Sequence, residues 1–369
     1  MIQRRRTTMT GKERVLGAIN RTPIDRVPRH DAFWDETLEE YGKTAAELQK
    51  EFDLDISVVA LDNSMRFPSK YVDLGAQEEG WDRYGFHYKR NIGLSTLHYM
   101  DFATADPEDW EEHKHRFTVD KNGESRVDAT GYFLRKTPVP TWEEAVARIN
   151  ALPDDKFKVL NFYGPWEGTW RHHGFENTLM DFIAEPEMVQ EMFEGIVNTT
   201  LESIDYALSL GMKIDGFWIV EDMGCTRSAL FSLEHYREYL KPWHKKIMDF
   251  AHERGLKTIM HSCGDVLDFI PDLIDVGLDV LQALQANTRL DVSKLKEEFG
   301  DKITFMGNIS VQSMAEGGDV IRQEMERKII PAMQGGGYIY HSDHSIPPEV
   351  TYEKYCDVMK ILDEIGSYN

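Results

Sequence analysis

Residues 256–284 read LKTIMHSCGDVLDFIPDLIDVGLDVLQAL, and each end is a short apolar run, LKTIMHS at 256–262 and LDVLQAL at 278–284. Short runs rich in apolar and β-branched residues read as β-strands. The same signal recurs at VPRHDAFW (27–34), DISVVALD (55–62), FKVLNFYG (157–164), IDGFWIVE (214–221), KITFMGNI (302–309) and GYIYHSD (337–343), which brings the count to eight. Between the later runs lie amphipathic segments with helix start and stop signals. SLEHYREYLKPWHKKIMDFAHERG opens on Ser232 and closes on Gly255, and DVSKLKEEFG closes on Gly300. Strand and helix in regular alternation predict a (β/α)8 TIM barrel. A doubly wound sheet is the alternative, but no G-x-G-x-x-G fingerprint follows the first strand.

Residues 63–150 break the rhythm. They are rich in Trp, Tyr, His and charge, as in EEGWDRYGFHYKRNIGLSTLHYMDF, with alternation in short pieces. We read them as an insertion with hairpin strands between the second and third barrel strands, lying over the barrel mouth of a single domain spanning 1–369. Lys plus Arg number 42 against 64 Asp plus Glu, and the net charge of −22 repels nucleic acid and anionic membranes. The basic opening MIQRRRTTMT is followed by no apolar run, so neither a signal peptide nor a membrane anchor is expected. Cys225, Cys263 and Cys356 cannot build a disulfide framework and suit a reducing cytoplasm.

The strand ends carry the candidate chemistry, because in this fold they face the active-site mouth. His261 and Cys263 lie two apart on a strand and so share a face, which is half of a metal site. Zinc in a catalytic site takes three protein ligands and leaves one position open. HSDHS near the C-terminus offers His341, Asp343 and His344, and IVEDMG offers Glu221 and Asp222. The expected set is His261, Cys263 and His344, with Glu221 either a fourth ligand or an outer partner. Glu221, Asp222 and His172 are the candidate catalytic groups. The histidines of HSDHS equally suit a solvated loop. Trp34, Tyr163 and Trp166, with Phe33 and Trp170, could wall a substrate ring, and Asp31 and Asn308 complete the expected substrate-binding set. Arg171, His172 and His173 in WRHHGF offer a carboxylate partner or a proton.

On these residues the chain resembles the uroporphyrinogen decarboxylase superfamily, in MTGKERVLGAINRTPIDRVP, FWIVEDMGCTRSALFSLEHYREYLKPWHKKI, HSCGDVLDFIPDLIDVGLDVLQALQ, FGDKITFMGNIS and GGGYIYHSDHSIPPEVTYEKY. The resemblance implies a (β/α)8 barrel. It also implies one of two chemistries, porphyrinogen decarboxylation or zinc-dependent, corrinoid-linked methyl transfer. The decarboxylases carry an Arg-Gln-Ala-Gly-Arg motif after the first strand; this chain has RHDAFWDETLEEYG there. The methyltransferases carry His-x-Cys at the end of a strand, which HSC matches, and His344 stands where their usual third ligand is a Cys. Between the two branches the resemblance therefore favours an O-demethylating methyltransferase using zinc and the Co(I) corrinoid of a partner protein, with a small methoxylated substrate. Methyl transfer from a methylcorrinoid to a thiol or folate, and a non-catalytic binding protein, stay open as alternatives, as does a homodimer.

Overall fold

The computed structural model describes residues 9–67, 79–81, 85–90, 97–129 and 139–368. Seven parallel strands form the frame: β1 (Ile56–Leu61), β6 (Phe157–Tyr163), β7 (Gly216–Val220), β8 (Lys257–Ser262), β9 (Val280–Ala283), β10 (Thr304–Gly307) and β11 (Tyr338–Ile339). They pair in chain order, with helices between them. A two-residue strand, β5 (Val127–Asp128), pairs antiparallel at the free edge of β1. The ladder is open between β11 and β1, and residues 27–34 lie in that gap. The His30 N–H donates to Tyr340 O (3.1 Å), the Tyr340 N–H to Pro28 O (2.8 Å) and the Asp55 N–H to Arg29 O (2.8 Å). This eighth segment pairs only through isolated bridges, and Pro28 has no N–H to give a ladder. The eight runs read from the sequence occupy the eight positions of a (β/α)8 arrangement.

Strand alternation divides the side chains into two layers. Ile56, Val159, Trp218, Ile259, Val280, Met306 and Ile339 point inward. They pack with Val15, Ala18 and Ile19 of the helix Gly11–Asn20, which is fixed at its start by a Thr10–Glu13 capping box. Phe162, Phe217, Ile219, Met260, Leu281 and Phe305 belong to the outer cluster, which includes the surrounding helices. Burial of both layers supplies the main driving force. The inner parity also decides which polar residues reach the mouth: two or four positions beyond these inward residues stand Asp222, His261, Cys263, Gln282 and His341.

The segment after β1 holds an antiparallel sheet of β2 (Glu79–Trp81), β3 (Phe86–Arg90) and β4 (Leu97–Phe102). These are the hairpin strands read in EEGWDRYGFHYKRNIGLSTLHYMDF, although 82–84 and 91–96 of that stretch lie outside the described residues. Two helices in the segment, Pro107–His113 and Trp142–Asn150, were not expected. The segment touches the barrel at the helix Pro165–His173: the Thr104 hydroxyl donates to His172 O and Arg171 donates to the Tyr99 hydroxyl, both at 2.8 Å. No helix among the described residues is long and apolar enough to cross a membrane.

Candidate metal centre

His261 is the penultimate residue of β8, Cys263 follows the strand, and Asp222 stands beyond the end of the neighbouring β7, all with inward parity. His261 Nε2 lies 3.3 Å from Cys263 Sγ and 3.3 Å from Asp222 Oδ1. Among the described residues these three form a group whose donor atoms all lie within 4.8 Å of one another. A tetrahedral zinc with bonds of about 2.0–2.3 Å needs donors separated by roughly 3.4–3.6 Å, so the two separations from His261 are close to those the ion needs, and the chemistry of the three donors suits it. The backbone holds it in place. The Cys263 N–H donates to Asp222 Oδ1 (2.7 Å), and the Trp166 indole N–H donates to the Asp222 carbonyl (2.8 Å). Burial opposes charge on Asp222, yet the His261 ring and the Cys263 N–H hold its carboxyl down at about 2. Burial likewise opposes a charged His261, but Cys263 and Asp222 beside it raise its pKa well above the ordinary value.

The structure brings Asp222 to the His–Cys pair, and it leaves Glu221 and His344 outside the group. Glu221 has outer parity: its fully buried carboxylate accepts the N–H groups of Trp166 (3.1 Å) and Glu167 (2.9 Å) and lies 2.8 Å from His244 Nε2. It therefore caps the start of the helix Pro165–His173, where backbone donors have no partners of their own. Gly164 makes this possible, since a Cβ there would stand 2.3 Å from Glu221 Oε2. His344 is exposed and stacks on Trp34, ring centroids 5.9 Å apart.

The remaining expected residues divide between pocket and scaffold. Tyr163, Arg171 and His172 line a pocket with Asn63, Ser64 and Phe86 of the inserted segment. His172 Nε2 accepts the Met65 N–H at 3.1 Å. Arg171 is engaged by Glu167 (2.6 Å) and Tyr99, and its guanidinium lies 4.1 Å from the Tyr163 ring and 4.6 Å from Trp170. Trp166 is fully buried against Phe175, Phe182 and Phe231, so its ring is core. Asp31 accepts from Ser342 and Tyr355, and Asn308 bridges Leu284 O, Leu290 O and the Val292 N–H; both stitch barrel segments together. His173 bonds Thr104 O and Asp181. Two residues were missed. Gln282 bonds His261, and its inward parity was the available signal. Glu167, whose carboxyl is pushed by burial up to about 7 against the pull of Arg171, had no sequence signal.

Comparison with known proteins agrees with this architecture. The sequence model of the family "Uroporphyrinogen decarboxylase (URO-D)" matches residues 136–365, more than half of the chain. The chain belongs to the URO-D family. It is 18% identical over 232 residues to the uroporphyrinogen decarboxylase of Methylococcus capsulatus, covering 60% of this chain and 63% of that protein. It is 20% identical over 216 residues to that of Hahella chejuensis, covering 57% and 59%. The chain thus spans about three fifths of the length of these curated relatives. Among solved structures, a methyltransferase from Methanosarcina mazei matches with a TM-score of 0.65 at 17% identity, covering 96% of this chain and 99% of that one. At that identity the likeness is one of fold.

Proposed function

We propose that this URO-D family member is a zinc-dependent methyltransferase that moves a methyl group from a methoxylated compound to the Co(I) corrinoid of a partner protein in the cytoplasm. The observation that carries the reading is the Asp222–His261–Cys263 group at the strand ends, three donors within 4.8 Å of one another with Cys263 and Asp222 each 3.3 Å from His261. Zinc held by these residues would supply a Lewis acid able to stabilise negative charge on a departing ether oxygen. The protein's own contribution is positioning. Trp166 fixes the Asp222 backbone, and Gln282 fixes the His261 ring. Tyr163 and Phe86 give the neighbouring pocket aromatic surface suited to a ring. The inserted segment belongs to the same reading, as a cover over the mouth anchored through Tyr99 and Thr104.

Decarboxylation of a tetra-acid porphyrinogen fits this pocket poorly, because several carboxylates need several free cations. Arg29, the one arginine of the segment 27–34, is 2.6 Å from Asp363. Arg171, the cation of the pocket lining, is already engaged by Glu167. Elemental analysis of the purified protein is expected to find one zinc per chain. A panel of methoxylated arenes with a reduced corrinoid protein is expected to give the absorption change of cobalt methylation. Full activity in metal-free protein, or turnover of uroporphyrinogen, would overturn the proposal.

A further inference from the structure

Behind the metal centre lies a chain of hydrogen bonds whose direction is set by one backbone carbonyl. His341 is 1% exposed, and its Nδ1 lies 2.6 Å from Ser342 O. A carbonyl only accepts, so Nδ1 carries the proton and Nε2 is left with a lone pair. The side-chain nitrogen of Gln282, a residue 2% exposed, lies against the ring, 3.4 Å from Nδ1 and 3.5 Å from Nε2, and of these two only Nε2 has a lone pair to accept from it. An amide nitrogen only donates, so it faces His341 and the amide oxygen faces the other way. There Gln282 Oε1 lies 2.5 Å from His261 Nδ1. The oxygen accepts, so His261 Nδ1 carries a proton. Nε2, beside Cys263 and Asp222, is then the nitrogen whose proton a metal would displace. Flipping the amide would set its NH2 group against His261 Nδ1 and move the imidazole proton to Nε2, where it would block a metal.

The origin of the chain is itself anchored. Asp31, buried, accepts both the N–H (2.8 Å) and the hydroxyl (2.6 Å) of Ser342, and Tyr355 donates to its second oxygen at 3.0 Å. The strands supply the rest, because Gln282 is the direct cross-strand neighbour of His261 in the β8–β9 register and shares its inward face. We infer that His341 and Gln282 are positioning residues for His261. Together they impose the tautomer that reserves Nε2 for a metal, with Asp31 fixing the Ser342 carbonyl that sets the direction. The inference rests on the metal reading of the site. Outer partners of this kind set ligand orientation and typically change metal affinity by roughly 10- to 100-fold.

The test is competition of the full-length protein with a chromophoric chelator for Zn²⁺, paired with the visible spectrum of the Co²⁺-loaded protein. Gln282→Met keeps the shape of the side chain but removes donor and acceptor; zinc affinity should fall roughly 10- to 100-fold. Gln282→Glu still offers an oxygen to His261 Nδ1 and should hold zinc within about threefold of wild type, with an unchanged Co²⁺ spectrum. His341→Phe should cost about three- to tenfold, and nothing more when added to Gln282→Met, since it acts through the same amide. Unchanged affinity in Gln282→Met, or losses that simply multiply in the double variant, would overturn the inference. Should Gln282→Met fail to fold, the His341→Phe arm decides alone, with unchanged zinc binding as the overturning result. Wild-type protein that binds no zinc would instead refute the metal reading itself.

Discussion

At the scale of single residues, the choice between Glu221 and Asp222 shows what alternation does to two adjacent acids. The Glu221 N–H donates to His261 O at 2.9 Å, so the ladder runs past the end of β7 and the two carboxylates leave on opposite faces. One carboxylate ends among helix N–H groups and the other beside a thiol and an imidazole. The spacing of His261 and Cys263 was legible in the sequence because it follows the alternation of a single strand to the residue just past its end. The approach of Asp222 to that pair was not, since it depends on the register between two strands, and His344 stands in a loop where strand parity has no hold. Variants separate the two assignments. Asp222→Ala should weaken zinc binding by more than the roughly 10- to 100-fold typical of outer partners, whereas His344→Ala should leave zinc stoichiometry and affinity unchanged. The same chelator competition measures both, and a zinc-free His344→Ala protein would restore the ligand set expected from the sequence.

At the scale of elements, the helix Pro165–His173 links the core to the site. It starts directly after β6, its first N–H groups are held by Glu221, and from it project Trp166, Glu167, Arg171 and His172. Removing the carboxylate would leave two backbone donors and His244 buried without their partner. Glu221→Ala is therefore expected to lose about 3 kcal/mol of stability. A lower urea midpoint would show this, while zinc still binds the folded protein. An unaltered midpoint would mean that water replaces the carboxylate, and loss of zinc from folded protein would return Glu221 to the metal site. The strands of this layer were legible because each run is apolar, short and regularly spaced. The helices of the inserted segment were signalled too. Asp106 before Pro107, and Thr141 with Glu144, are helix starts, but they stand in a stretch whose dominant pattern is short alternation.

At the scale of the whole molecule, the two ends of the barrel do different work. The C-terminal ends of the strands carry the donor group, and the N-terminal ends carry a charge network with no place in the chemistry. Asp55, fully buried, lies within 3.3 Å of Arg14 and 2.7 Å of Arg26. Asp53 bonds Lys156 (2.7 Å) and Arg26 (2.8 Å). Burial alone would raise the Asp53 carboxyl, but these two cations hold it at about 2, below its ordinary value of 3.8. A folded-state pKa below the unfolded one means that the stabilisation is fully present above about pH 4 and is lost as pH falls toward 2. Acid also turns the whole chain's charge from −22 to positive, so a simple acid melt would mix the two effects. The difference between wild type and Asp53→Asn isolates the one group. Asn is the apt replacement because Asp53 has a φ of 47°, which Asn tolerates better than most residues. Wild type should be the more stable at pH 6, and the gap should close between pH 4 and 2. It should also shrink in high salt, because the side chain is half exposed. Zinc content at pH 7 should be the same in both proteins, since the network stands at the opposite end of the strands from the donors. A stability gap that stays constant with pH would show that Asp53 acts through its hydrogen bonds alone, without its charge.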